Sequence, residues 1–275
     1  MKAILVATDF STSANSAVNY AANLADKFKA KLVIFHSYTV PVILSEVPIM
    51  MPNLEEIEKD SIKHLKLTKS TLLEKYKHSF EIEYECVCGF TLEVLHQFLA
   101  KNPIDLVVVG MHGAGAMTEK LVGSVTTTII NEVKCPVICV NEKSHYKPYH
   151  KIVFACDLGD FKNANIFTPI KEFVNLFDAK LLILNVFSKD HTEPTISEAV
   201  AGLKLDQVLA DVNHQLCYIE HKDVIQGINE FVKEHKAELV IMMPRHHSFL
   251  NKLFNEPHTK KMAFHSEVPL LSVHE

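Results

Sequence analysis

The chain reads as α/β: two tandem, doubly wound domains, each built on a five-stranded parallel sheet. Three observations predict this. Short runs of Val, Ile and Leu alternate with longer amphipathic segments, and continuous apolar strands are those covered by helices on both faces. The sequence also repeats itself. ILVATDF from Ile4 lies over IVFACDL from Ile152, and AKLVIFHS from Ala30 over AKLLILNV from Ala179. DLVVVGMHG from Asp105 lies over ELVIMMPRH from Glu238, and VKCPVICV from Val133 over SEVPLLSV from Ser266. Finally, 275 residues suit two domains of about 130 to 140 residues each. The expected boundaries are 1–143 and 149–275, joined by NEKSHYKPYH, whose polar residues and proline read as a short linker.

A strand over 2–8 opens the first copy, and Ser11 or Thr12 caps the helix that follows, with Ala17, Ala21, Leu24 and Phe28 on one face. Next come a strand over 31–37, a long helix from about Leu54 to Tyr76, a strand over 81–87 and a helix over 91–100. The copy closes with a strand over 105–109, a glycine loop, a helix over 124–133 and a strand over 136–140. In the second copy the connection after the second strand is shorter by 16 residues, the difference between repeat offsets of 149 and 133.

Composition narrows the function classes. The formal net charge is −5 with no long basic run, which argues against nonspecific nucleic-acid binding. MKAILVATDF is too short in its apolar part for a signal peptide. No apolar run approaches the roughly 18 residues of a membrane span, so a cytoplasmic protein without a membrane segment is expected. The six cysteines, at 86, 88, 135, 139, 156 and 217, contain no C-x-x-C pair and mostly sit in apolar runs. They read as buried reduced thiols, although Cys86 and Cys88 share a strand face and leave a redox or metal role as the less favoured alternative.

Four of the 8 glycines fall within 110–123. The spacing G110-x-x-G113-x9-G123-S124 carries no G-K-[ST] and is no dinucleotide fingerprint. Its chemistry is legible nonetheless. Gly110 and Gly113 let backbone approach a ligand beyond the strand's carboxyl end. Gly123-Ser124 starts a helix whose free N–H groups, from Val125 to Thr127, suit a phosphate, with hydroxyls from Ser124 and Thr126. Asp9 leaves the first strand at that same edge, where a carboxylate suits ribose hydroxyls or a phosphate-bound metal. A tight turn at the glycines and a helix cap at Asp9 are the alternatives.

ATDFS at 7–11, FHS at 35–37, GMHG at 110–113 and GSVT at 123–126 together resemble the nucleotide-binding branch of the universal stress protein family. The family pattern G-x2-G-x9-G-[ST] is met by Gly110, Gly113, Gly123 and Ser124. The resemblance covers nearly the whole chain, twice. It implies an adenine nucleotide alpha hydrolase-like fold with strand order 3-2-1-4-5 and a site for ATP, AMP or ADP, with magnesium as a candidate companion. It implies that Ala7, Thr8 and Asp9 contact adenine and ribose, and that Ser37 contacts adenine through its backbone. Gly110, Met111, His112 and Gly113 border ribose and phosphates, and Gly123, Ser124, Val125 and Thr126 cradle the phosphates. It further implies that the fifth strands pair, giving an internal pseudo-dimer, with a homodimer as a further option.

The second copy departs from that pattern. Met243 stands for Gly110, His246 for Gly113, Glu256 for Gly123 and Pro257 for Ser124, while Asp157 is retained. Side chains fill the space, a carboxylate faces the expected phosphate and a proline removes an N–H. A scaffold or partner-binding role is the expectation for this half. Its histidines at 246, 247 and 258 fit no zinc spacing and read as a solvated basic loop with Arg245 and Lys252. Three functions compete: a nucleotide-dependent regulator of an unknown protein partner, a slow ATPase, and an interaction module. The motif supplies phosphate cradling without an activated nucleophile or arginine finger, and His112 is the sole candidate acid or base beside the loop. Binding rather than turnover is the expectation.

Overall fold

The computed structural model describes residues 1–39, 53–111, 124–156, 167–187, 196–243 and 268–273. The first half runs β1 (Ala3–Ala7), α1 (Thr12–Phe28), β2 (Lys31–Tyr38), α2 (Leu54–Tyr76), β3 (Ile82–Cys88), α3 (Thr91–Lys101), β4 (Leu106–Met111), α4 (Ser124–Glu132) and β5 (Val137–Asn141). The second half runs β6 (Lys151–Ala155), α5 (Thr168–Phe177), β7 (Lys180–Phe187), α6 (Ile196–Val208), β8 (His214–Glu220), α7 (Val224–His235), β9 (Leu239–Met242) and β10 (Leu270–Ser272).

The ten strands among the described residues form one sheet in the order β3-β2-β1-β4-β5-β10-β9-β6-β7-β8. Each half therefore has the order 3-2-1-4-5 in its own numbering. Within each half every strand pair is parallel. Helices cover both faces, as the apolar strands require: Ile4, Leu5 and Val6 of β1 are fully buried. Residues of α1, α2, α5 and α6 share one core layer, and residues of α3, α4 and α7 share the other.

The halves meet where β5 and β10 pair antiparallel, Val137 with Ser272, Ile138 with Leu271 and Cys139 with Leu270. The repeat offset there is 133, and 138 + 133 = 271, so Ile138 and Leu271 are equivalent positions facing each other. The pairing is symmetric about them, which makes the chain an internal pseudo-dimer. Behind the sheet, Phe28 of α1 meets Phe177 of α5 edge to face at 5.1 Å. These too are equivalents, 28 + 149 = 177.

The connecting segment is exposed at most of its positions but is anchored by its tyrosines. Tyr149 is 2 % exposed and its ring packs 4.4 Å from that of Phe177. Its hydroxyl is hydrogen-bonded to that of Tyr20 on α1, and Tyr146 meets Tyr20 edge to face. Tertiary burial overrides local polarity here, because the strap crosses the seam between α1 and α5.

Four helices end on a left-handed residue that is not glycine: Lys29, Lys77, Asp178 and Lys236, with φ between 51° and 53°. In each, the cap N–H closes onto carbonyls of the last turn. None of the six cysteines, all among the described residues, forms a disulfide. Cys139 and Cys156 are buried as expected, whereas Cys88 is exposed at the end of edge strand β3. Burial pushes the Cys135 thiol up to about 11 and raises Cys86 and Cys217 as well, which disfavours thiolate chemistry at those three. Among the described residues, no helix is long and apolar enough to cross a membrane.

Gly110, near the end of β4, owes its identity to packing as well as to any ligand. A Cβ there would lie 2.6 Å from the carbonyl carbon and oxygen of Ser13 and 2.7 Å from the nitrogen of Ala14, backbone atoms of α1. Its counterpart in the second half is Met243, 6 % exposed.

Two tests follow from this packing. Gly110→Ala gains under about 1 kcal/mol from the unfolded chain, but its methyl meets backbone that cannot swing aside. A net destabilisation of about 1–3 kcal/mol in urea denaturation is expected. Tyr149→Phe strands the buried Tyr20 hydroxyl and destabilises by about 1–3 kcal/mol, while Tyr20→Phe with Tyr149→Phe removes both partners and is milder than the sum of the single changes. Burial raises both phenols above their ordinary value. Their contribution is thus fully present below about pH 10 and lost as pH rises beyond it. Alkaline denaturation curves of the double variant should show a shallower fall.

Candidate functional site

In a parallel sheet every strand-to-helix turn opens on the carboxyl edge. In the first half the exits of β1, β2 and β4 and the starts of α1, α3 and α4 enclose a cavity of about 250 Å³ there.

Its floor is the β1 exit. Thr8 continues the ladder, its N–H donating to the Phe35 carbonyl at 2.9 Å. The Thr8 hydroxyl oxygen accepts from the Phe10 N–H at 3.0 Å, and the Asp9 carboxylate accepts from the Ser11 N–H at 3.0 Å. Phe10 takes φ 63°, a left-handed conformation that a bulky residue rarely adopts. Ser11 is the N-cap of α1, its hydroxyl oxygen accepting from the Ala14 N–H at 3.3 Å. Of the two capping residues expected, Ser11 is the one used. Asp9 shapes the turn before it, so turn formation and presence at the cavity coexist in one side chain.

On the β4 side, the Gly110 carbonyl accepts from the Thr126 hydroxyl at 3.1 Å, tying the strand end to the first turn of α4. Val125, in that turn, is 42 % exposed although apolar. On the β2 side, the Ser37 hydroxyl donates to the Thr91 hydroxyl oxygen at 2.7 Å, linking β2 to the first residue of α3.

Of the residues expected at the site, Ala7, Thr8, Asp9, Ser37, Gly110, Val125 and Thr126 line this cavity. Ser124 starts α4. Met111 does not line it: its side chain is 2 % exposed and belongs to the core under α3 and α4, leaving its backbone alone near the edge. His112, Gly113 and Gly123 lie outside the described residues, as do Asp157, Arg245, His246, His247, Lys252, Glu256, Pro257 and His258. Sequence reasoning missed Ser13 and Thr91, both cavity-lining. Thr91 carried a readable signal, since it opens the helix after β3 on the same edge of the sheet.

The electrostatics follow from the helices. Ser13 and Ala14 of α1, Thr91 of α3, and Val125 and Thr126 of α4 are all first-turn residues at one cavity. Three helix starts bring their partial positive charge together, an arrangement that suits an anion, with the Ala14 N–H already taken by the Ser11 hydroxyl. Asp9 sets one carboxylate at the same rim. Hydroxyls of Ser11, Ser13, Ser37, Thr91 and Thr126 supply further polar contacts, and Phe35, Val109 and Ile129 an apolar wall. Among the described residues, no three His, Cys, Asp or Glu side chains gather as a metal site.

Comparison with known proteins agrees with this architecture. The chain is 24% identical over 156 residues to universal stress protein MJ0577 of Methanocaldococcus jannaschii, covering 52% of this chain and 96% of that protein. It is 29% identical over 140 residues to a universal stress protein of Thermus aquaticus, covering 50% and 98%. The crystal structure of a universal stress protein from Archaeoglobus fulgidus superposes with a TM-score of 0.70 at 13% identity over 99% of this chain and 98% of that one. At that identity the likeness concerns the fold, and it extends over both halves. The model of the universal stress protein family matches residues 1–141 and again 148–274. With two such matches spanning nearly its whole length, the chain belongs to the universal stress protein family.

Proposed function

We propose that the first half binds an adenine nucleotide, ATP, ADP or AMP, and that the protein acts as a nucleotide-dependent regulator through a protein partner. The observation that carries this reading is the meeting of three helix starts and the Asp9 carboxylate at one cavity. A nucleotide presents both complements, phosphates for the helix starts and ribose hydroxyls for the carboxylate. The apolar wall of Phe35, Val109 and Ile129 suits the base. The glycines of the G-x2-G-x9-G-[ST] pattern continue the chain between β4 and α4, between the strand exit and helix start that already line the cavity.

Magnesium, where it accompanies the phosphates, finds in Asp9 the one carboxylate among the described lining residues. The other described lining groups are hydroxyls, backbone and apolar side chains, a set suited to holding a nucleotide. The second half, proposed as the domain with the degenerate motif, serves as scaffold or partner surface. Met243 occupies the Gly110 position, and Glu256 and Pro257 replace the phosphate-cradling glycine and serine. Action in the cytoplasm is part of the same proposal.

The test is calorimetry with ATP and AMP in the presence of magnesium. One site per chain is expected. Asp9→Asn keeps an oxygen for the Ser11 N–H but removes the charge, and should weaken binding about tenfold or more. Gly113→Arg should abolish binding. Two sites per chain would refute the reading of the second half, and none would leave an interaction module.

A further inference from the structure

Side chains along β2 alternate between faces. Phe35 and Ser37 line the cavity, and His36, between them, points to the side covered by α2. There its Nδ1 lies 2.8 Å from the carbonyl oxygen of Thr8 and its Nε2 lies 3.3 Å from the Ser61 hydroxyl. A carbonyl oxygen only accepts, so in the neutral ring Nδ1 carries the proton and Nε2 accepts from Ser61. The ring also packs, tilted, 4.5 Å from that of Phe10, which in turn meets His64 of α2 edge on at 5.1 Å. His36 thus grips Thr8 by a hydrogen bond and left-handed Phe10 by ring contact. Asp9 is the residue between them.

The second half repeats the grip with different chemistry. His36 corresponds to Asn185 (36 + 149 = 185) and Thr8 to Cys156 (8 + 148 = 156). The Asn185 Nδ2 donates to the Cys156 carbonyl at 3.2 Å. Two unrelated side chains make the same bond from the second strand to the residue just beyond the first. The bond persists although Met243 has replaced the glycine of the neighbouring strand. What the two side chains share is a donor nitrogen at the third bond from Cα, Nδ1 in one and Nδ2 in the other.

We infer that His36 is a positioning residue for the nucleotide site: from the side of the sheet away from Thr91 it clasps the β1–α1 turn and thereby sets the Asp9 carboxylate at the cavity rim. Its effect on affinity rests on the nucleotide reading, whereas its hold on the turn does not.

The experiment compares His36→Asn, His36→Gln and His36→Ala in the full chain. Asparagine places its amide nitrogen where Nδ1 lies, as the second half already does, and glutamine places its own where Nε2 lies. Two readouts are taken: the calorimetric affinity for ATP, and the hydrogen exchange of the Phe10 and Ser11 amides, which donate to Thr8 and Asp9. His36→Ala and His36→Gln should weaken ATP binding about tenfold and speed exchange at both amides, while His36→Asn stays within about twofold. A His36→Asn variant as impaired as His36→Gln overturns the clasp, and so does an unchanged His36→Ala. Should His36→Ala fail to fold, the asparagine and glutamine pair carries the comparison alone. If the unaltered chain binds no ATP, the nucleotide reading and the affinity effect fall together, and the exchange rates still decide whether His36 holds the turn.

Discussion

The antiparallel pairing of β5 with β10, centred on Ile138 and Leu271, is the contact on which the rest of the molecule is hung. An open parallel sheet leaves its edge strands with unpaired N–H and C=O groups. Here the inner edges of both halves satisfy each other, and the sheet becomes continuous across ten strands. Once the strands are joined, α1 and α5 lie on the same face and must pack across the seam. The equivalent rings of Phe28 and Phe177 do so, with Tyr149 filling the space beside them. The strap that joins the halves therefore contributes Tyr149 to the core.

The position of α1 is constrained twice, and both constraints bear on the cavity. Its far end packs at the seam through Phe28. Its first turn lies against Gly110, so close that any side chain there would meet the backbone of Ser13 and Ala14. Between these anchors the helix start is held beside those of α3 and α4. The glycine in β4 thus acts first on architecture, letting a helix terminus come near enough to the strand exit to help form an anion-friendly cavity.

Much of this was legible in the sequence, for stated reasons. The internal repeat exposed the two halves, and apolar runs marked strands buried on both faces. Seven of the expected site residues line one cavity because motif residues at strand exits necessarily meet at the carboxyl edge. The misses are equally physical. Tyr146 and Tyr149 sit among Asn, Glu, Lys, Ser and His, and composition cannot report that a partner surface awaits them. Lys29 and Asp178 end helices in a conformation usually signalled by glycine. Met111 follows a motif glycine yet turns into the core, since side chains alternate along β4. His36 stood inside the FHS segment at 35–37 without a role assigned to it. Its role needs the carbonyl of Thr8, brought to it by the pairing of β1 with β2.

The order of the strands has a consequence for synthesis on the ribosome. The inner edge of β5 is covered by a strand that the chain reaches only at Leu270, 131 residues after Cys139 (270 − 139). At about 5–20 residues per second, roughly 7 to 26 s pass between the two. During that interval the β5 edge stays open to any other extended segment nearby. On a polysome, where identical nascent chains crowd together, the foreign segment most like β10 is another copy of β5. The covalent link to the second half keeps the proper partner on the same chain, at a local concentration no neighbouring chain matches.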